Sequence, residues 1–219
     1  MRSRFDRRVV PEAGVRFLRA LMDGADCSLA GGAALSGAWL AHRLSRDLDV
    51  FFPTLDALRS AVRQLPTVAA TAGVESQVVR DGGGLVTATL GGDGLALTVD
   101  LVHEPVPQLA APTVIEGVRV ASAEDLRAAK LGCLLHRTEP RDLVDLLFLD
   151  RAGHPPEHDL VGALTKDGGI DPATLAWLLR DFPTRPMPQM LEVLSAVELV
   201  AWRDELARRM GEVSIPPDA

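Results

Sequence analysis

The stretch Leu29–Phe52, LAGGAALSGAWLAHRLSRDLDVFF, decides how this chain is read. A glycine pair, Gly31 and Gly32, opens an apolar segment, and a D-x-D, Asp47 and Asp49, stands at the head of an apolar strand. Side chains alternate along a strand, so the two acids share one face, with Cα atoms roughly 6.5 to 7 Å apart. Like charges at that distance repel unless a cation lies between them. The separation suits one or two Mg²⁺ ions that keep open positions for phosphate oxygens. The glycines let backbone approach a ligand closely and leave the N–H groups of a helix start pointing at it. Taken alone, the pair is better accounted for by close packing of a helix on a sheet, given Ala30, Ala33, Ala34 and Gly37 nearby.

Upstream, Pro11 opens a helix, PEAGVRFLRALMDG, with Val15, Leu18, Leu21 and Met22 on one stripe and Gly24 near its stop. A short strand at Cys27–Ala30 precedes a helix over Ala33–Leu44, and the D-x-D strand runs Asp47–Phe52. Downstream, DALRSAVRQL is helical until Pro66 interrupts it. Runs at Val74–Arg80, Leu85–Leu90 and Leu95–His103 are separated by DGGG and GGDG and read as strands joined by antiparallel hairpins. A small strand pair surrounds Glu116-Gly117. From Ser122 the pattern is helical, with Ser122 and Asp125 as an N-cap arrangement and Pro140, Pro155, Pro172 and Pro188 near helix starts. The outline is an α/β domain over residues 1–120 followed by a helical domain over 121–219.

The 219 residues are 47% apolar, enough for one generous domain or two small ones with packed cores. A formal net charge of −7 argues against coating nucleic acid nonspecifically, a mode that depends on neutralising many phosphates. Local basic patches at MRSRFDRR and at Arg203, Arg208 and Arg209 are the candidates for contact with RNA. The two cysteines, Cys27 and Cys133, indicate neither a disulfide framework nor a C-x-x-C zinc site and read as small core residues in a reducing cytoplasm. No apolar signal region and no membrane-length apolar run is present, so the expectation is a soluble cytoplasmic protein with no membrane partner.

Asp100 ends the strand LALTVD among apolar residues, where a carboxylate needs hydrogen bonds or a cation. With a D-x-D on a neighbouring strand, a third metal-holding acid is the better reading. Lys130 and Arg137 are seven apart and share one helix face, fitting either two phosphate-directed cations or a solvated helix. Arg141 and Asp145 fit an ordinary i, i+4 pair, whereas Asp142 and Asp145 could orient Lys130. His154 and His158 lack the further ligands of a zinc helix. The apolar stripe of Met190–Met210 reads as core, and three tryptophans with no tyrosine make no stacking platform for single strands.

At Gly31-Gly32, Arg43, Ser45, Asp47 and Asp49 the sequence resembles the AbiEii/AbiGii toxin family, whose members carry GG-T-A-L followed by hR-x-S-x-D-x-D-hh. Asp100 in LTVDLV and KLGCLLHRTEPRDLVDLLFL, residues 130–149, extend the likeness to the family's K…R…RD-x-x-D element. The chain departs from the pattern at Ala33, where the family often has a hydroxyl. The resemblance implies a nucleotidyltransferase (polymerase-β-like) fold: an α/β mixed sheet with flanking helices, followed by a C-terminal helical domain. It implies Mg²⁺-dependent transfer of an NMP from an NTP to an acceptor hydroxyl, with Asp47, Asp49 and Asp100 holding metal. Gly31, Gly32, Arg43, Ser45, Lys130 and Arg137 would bind the nucleotide, and Asp49, Asp100, Lys130 and Asp142 would carry catalysis. By the same resemblance the chain is the toxin of a toxin–antitoxin or phage-defence pair, with a tRNA 3′ end or other RNA as acceptor and a cognate antitoxin as partner. The alternatives are transfer to a small molecule, as antibiotic-modifying nucleotidyltransferases do, or to a protein side chain, and a non-catalytic nucleotide- or partner-binding module.

Overall fold

Leu48, Val50 and Phe52 are fully buried on one face of strand β2 (Asp47–Phe52), while Asp47, Asp49 and Phe51 are half-buried on the other. The apolar face is the floor on which the first half of the molecule is built. In the computed structural model, which describes residues 2–92 and 95–213, the chain divides into two compact units, Met1–Ser122 and Ala123–Ala219.

The first unit carries a mixed sheet, seven-stranded among the described residues, in the order β3-β4-β5-β2-β1-β7-β6. Its strands are β1 (Ser28–Ala30), β2, β3 (Glu75–Asp81), β4 (Leu85–Gly92), β5 (Leu95–His103), β6 (Thr113–Ile115) and β7 (Val118–Val120). β2 lies at the centre, antiparallel to β1 and parallel to β5, and β3, β4 and β5 form an antiparallel meander. The β3–β4 turn is made at the expected glycines, with Gly83 at φ +85°. Asp93 and Gly94 of the expected β4–β5 turn lie outside the described residues.

Helix α1 (Glu12–Gly24) buries Val15, Phe17, Leu18, Leu21 and Met22. It comes close to the apolar face of the sheet because Gly14 has no side chain: a Cβ there would lie 3.2 Å from Leu97 and 3.6 Å from Leu48. Helix α3 (Leu55–Ala72), capped by the Thr54 hydroxyl, packs beside α1 through Leu58, Ala61, Leu65 and Ala69. It runs through Pro66, against the expectation of an interruption. Pro66 is exposed, so water can satisfy the carbonyl that lost its donor, while the buried stripe continues on the other side.

The expected helix over Ala33–Leu44 is also different. Helix α2 covers only Gly31–Leu35, a π-helical turn follows at Ser36–Leu40, and Ala41 leaves it in the left-handed region at φ 54°. The Ser36 hydroxyl donates to the Arg43 carbonyl at 2.5 Å, which fastens the chain beyond the π-helical turn back onto it.

The second unit is helical among its described residues: α4 (Ala123–His136), α5 (Pro140–Arg151), a 3₁₀ turn (Pro156–Asp159), α6 (Leu160–Lys166), α7 (Pro172–Arg180) and α8 (Ala196–Glu212). Pro140 and Pro172 occupy first-turn positions as expected. Pro188 starts no helix. α8 begins after Ser195, whose hydroxyl accepts from the Glu198 N–H. Asp125, in the first turn of α4, faces Lys166 of α6 at 2.6 Å.

Candidate active site

In the first unit, Asp49 of β2 and Asp100 of β5 are register partners on adjacent parallel strands, with Asp47 two residues along β2 on the same face. Residues paired across a sheet project to the same side, and neighbouring strands lie about 4.8 Å apart. Three carboxylates, two from the D-x-D and one from about fifty residues on, therefore share one patch of one sheet face. On the next strand Thr87 pairs with Asp100, and its hydroxyl donates to Asp100 Oδ1 at 2.6 Å. Thr87 has no motif of its own, and only the hairpin register could have pointed to it.

The glycine pair has a definite purpose in this arrangement. Gly31 sits at φ +60°, and a Cβ there would lie 1.8 Å from Asp49 Oδ2. The Asp49 carboxylate thus lies directly against the backbone at Gly31, where any other residue would place its side chain. A Cβ on Gly32 would lie 2.6 Å from Arg43 Nη2 and 3.0 Å from Ser45 Oγ. The pair therefore makes room for Asp49 on one side and for Arg43 and Ser45 on the other. Arg43 is buried and its Nη1 donates to the Leu44 carbonyl at 2.9 Å, while Ser45 Oγ donates to the Asp47 carbonyl at 3.3 Å. Ser36 is fully buried and serves to hold the Arg43 backbone. Ala33 is fully buried within α2.

Lys130, Arg137, Asp142 and Asp145 form one network inside the second unit. Lys130 Nζ lies 2.9 Å from Asp142 Oδ1 and 2.6 Å from Asp145 Oδ2. Arg137 clasps Asp142 with two bonds, Nε to Oδ2 at 2.7 Å and Nη2 to Oδ1 at 2.8 Å. Asp142 and Asp145 are fully buried and Lys130 nearly so. Burial pushes the Asp142 carboxyl up, but Lys130 and the Arg137 fork outweigh it and hold the group below 3.8. Arg141 and Asp145 are therefore not an isolated surface pair, since Asp145 belongs to this cluster.

The acids fit a hard divalent cation by donor type, all being carboxylate oxygens. Among the described residues no group of three His, Cys, Asp or Glu side chains converges as a ready-made cage. Mg²⁺ does not require one, because it commonly takes one or two carboxylates and completes its shell with water and substrate phosphate. Burial pushes the Cys27 thiol up to about 12 and raises that of the half-buried Cys133, which disfavours the thiolate at both. The arginines expected to form basic patches are largely matched by acids. Arg7 pairs with Glu12 and Glu116, Arg8 with Asp6, Arg203 with Asp204, Arg208 with Glu205 and Glu212, and Arg209 with Asp150 and Glu157.

Residues 16–217 match the family model described as nucleotidyl transferase AbiEii toxin, type IV TA system. The fold is similar to that of JHP933 from Helicobacter pylori, at 21% identity and a TM-score of 0.58 over 93% of this chain and 94% of that one. It is also similar to MenT4, a nucleotidyltransferase toxin from Mycobacterium tuberculosis, at 15% identity and a TM-score of 0.60 over 94% of this chain and 86% of that one. No protein of curated function matches the sequence significantly.

Proposed function

We propose that this chain, which belongs to the AbiEii nucleotidyltransferase toxin family, moves a nucleoside monophosphate from an NTP to an acceptor hydroxyl with Mg²⁺ held by Asp47, Asp49 and Asp100. It is a nucleotidyltransferase, and the observation that favours this metal-assisted reading is the register of Asp49 with Asp100, which gathers three carboxylates on one sheet face. In the reaction the acceptor oxygen bonds to the α-phosphorus. The bond from that phosphorus to the bridging oxygen breaks, and pyrophosphate leaves with its electron pair. Asp100 takes the acceptor proton, its carboxylate fixed through Oδ1 by Thr87. Bound Mg²⁺ would neutralise the triphosphate and polarise the α-phosphoryl group.

Gly31 and Gly32 let their backbone lie directly against the Asp49 carboxylate, and Arg43 and Ser45 stand next to them as nucleotide contacts. By resemblance to the family, Lys130 and Arg137 act on the nucleotide's phosphates, and Asp142 holds both cations charged and in place. The acceptor is an RNA 3′ end, with tRNA the leading candidate, and the biological setting is a toxin with a cognate antitoxin in the cytoplasm. No helix among the described residues is long and apolar enough to cross a membrane.

The test is label transfer with each of the four α-labelled NTPs, Mg²⁺ and total tRNA, beside Asp49→Ala. Label on RNA with the parent, none with Asp49→Ala and none in EDTA is the expected result. Label on a small hydroxylated acceptor but not on RNA would replace the acceptor assignment, and no label with any NTP and any acceptor would refute catalysis.

A further inference from the structure

We propose that Arg80 binds the phosphate backbone of a nucleic-acid acceptor as its 3′ end crosses the sheet toward Asp100. The inference rests on the transferase reading above and adds the acceptor's path to it. Arg80 pairs with Thr87, Thr87 with Asp100 and Asp100 with Asp49, so one row runs across four strands from the guanidinium to the acids. The next row, Gln77, Thr89, Thr98 and Asp47, lies parallel to it on the same face.

Arg80 reaches that face through an irregularity. Gln77 faces Thr89, and strict alternation would bring Val79 to the same side two residues later. A register shift between Val78 and Arg80 turns Arg80 there instead, the re-aiming that a bulge performs. β3 is an edge strand and Arg80 is exposed. Its guanidinium makes no ion pair or hydrogen bond among the described residues. The adjacent Asp81 is neutralised by both oxygens accepting from Arg59, at 2.9 and 2.8 Å. The edge thus presents a cation, while Arg2, Arg7 and Arg8 near one end of the chain and Arg203, Arg208 and Arg209 near the other are matched by acids.

The dimensions suit a polynucleotide. Two strand spacings separate Arg80 from Asp100, about 10 Å. Stacked nucleotides carry one charge per roughly 3.4 Å of a strand. With the terminal hydroxyl at Asp100, a phosphate within the last few nucleotides lies level with Arg80. Between them the face offers hydroxyls and an amide, Thr89, Thr98 and Gln77, which can bond phosphate or sugar oxygens without reading sequence. A chain of net charge −7 has no general positive field, so a discrete contact of this type decides acceptor binding.

The measurement is fluorescence anisotropy of a 5′-labelled single-stranded RNA of about a dozen nucleotides, without metal, on full-length Asp49→Ala protein with and without Arg80→Ala. Removing the guanidinium should weaken binding about three- to tenfold and lower the slope of log K against log salt by about 0.7, the share of one phosphate on a single strand. Arg80→Lys should restore most of both. In the active protein, Arg80→Ala should raise the KM for the RNA acceptor by a similar factor and leave kcat and the KM for NTP unchanged. Unchanged RNA affinity and salt slope would overturn the assignment, as would a rise confined to the KM for NTP. A parent protein that does not bind the RNA would overturn it too. In that case, continued label transfer to a small hydroxylated acceptor would leave the transferase reading intact, and its absence would remove both.

Discussion

The contact between Gly31 and Asp49 leaves no space for even a methyl group. Gly31→Ala would force a Cβ into the Asp49 carboxylate at a φ that costs an L-residue about 1–2 kcal/mol. Label transfer should fall about as far as in Asp49→Ala, while circular dichroism stays native and the melting temperature drops by a few degrees. Thr87→Val removes a hydroxyl donated to a carboxylate, a bond worth about 1.5 kcal/mol. The expected outcome is a roughly tenfold lower kcat with the KM for NTP unchanged, and recovery in Thr87→Ser. Steady-state kinetics of the three proteins would check it. At this scale the acids were legible, since a carboxylate inside an apolar strand advertises a cost that something must offset. Thr87 was not legible, because threonine is ordinary in strands and its partner is set by hairpin register. The positive φ that ties Gly31 to Asp49 was hidden for the same reason: it depends on a strand that follows it in sequence and lies beside it in space.

Alternation and glycine turns make the strands legible in the sequence, and the ends of the helices are less so. α3 continues through Pro66 because tertiary burial of Leu58, Ala61, Leu65 and Ala69 outweighs one missing bond. Pro66→Ala should therefore stabilise the protein by about 1–2 kcal/mol after allowing for the freer unfolded chain, raising the melting temperature by about 3 °C or more in calorimetry. The apolar stripe of Met190–Met210 begins before α8, which starts only after its cap at Ser195. Ser195 and Glu198, an S-x-x-E, were the available signal. Between α4 and α5 the charged residues read either as a solvated face or as a site, and the structure joins Lys130, Arg137, Asp142 and Asp145 in one network around two buried carboxylates. Lys130→Met would leave Asp142 and Asp145 buried without their shared cation, a loss of about 3–5 kcal/mol measurable by urea unfolding. The Asp142 carboxyl is held below 3.8, so its contribution to stability is complete above that pH and is lost as pH falls through its lowered folded value. Removing Lys130 should move acid unfolding to higher pH.

For the molecule as a whole, the α/β and helical halves and the family were legible because three separate motif blocks occur in the right order. Acceptor choice was not: on the proposal above it depends on which side chains the strands turn to one face, as at Arg80. If the acids hold Mg²⁺ with the nucleotide, NTP plus Mg²⁺ should raise the melting temperature by ligand binding to the native state alone. EDTA or Asp49→Ala should cancel that rise while leaving the melting temperature of the free protein nearly unchanged, as differential scanning fluorimetry would show.

The parallel pairing of β2 with β5 also governs when the three acids come together during synthesis. Asp49 leaves the ribosome about fifty residues before Asp100, and at roughly 5–20 residues per second that is an interval of seconds. β1 and β2 can pair in that time, but the meander that carries Asp100 must be laid down before the third carboxylate joins the others, and such non-local pairing is slow. A nascent or truncated chain ending before β5 therefore lacks the third carboxylate, and on the reading proposed above it transfers no nucleotide.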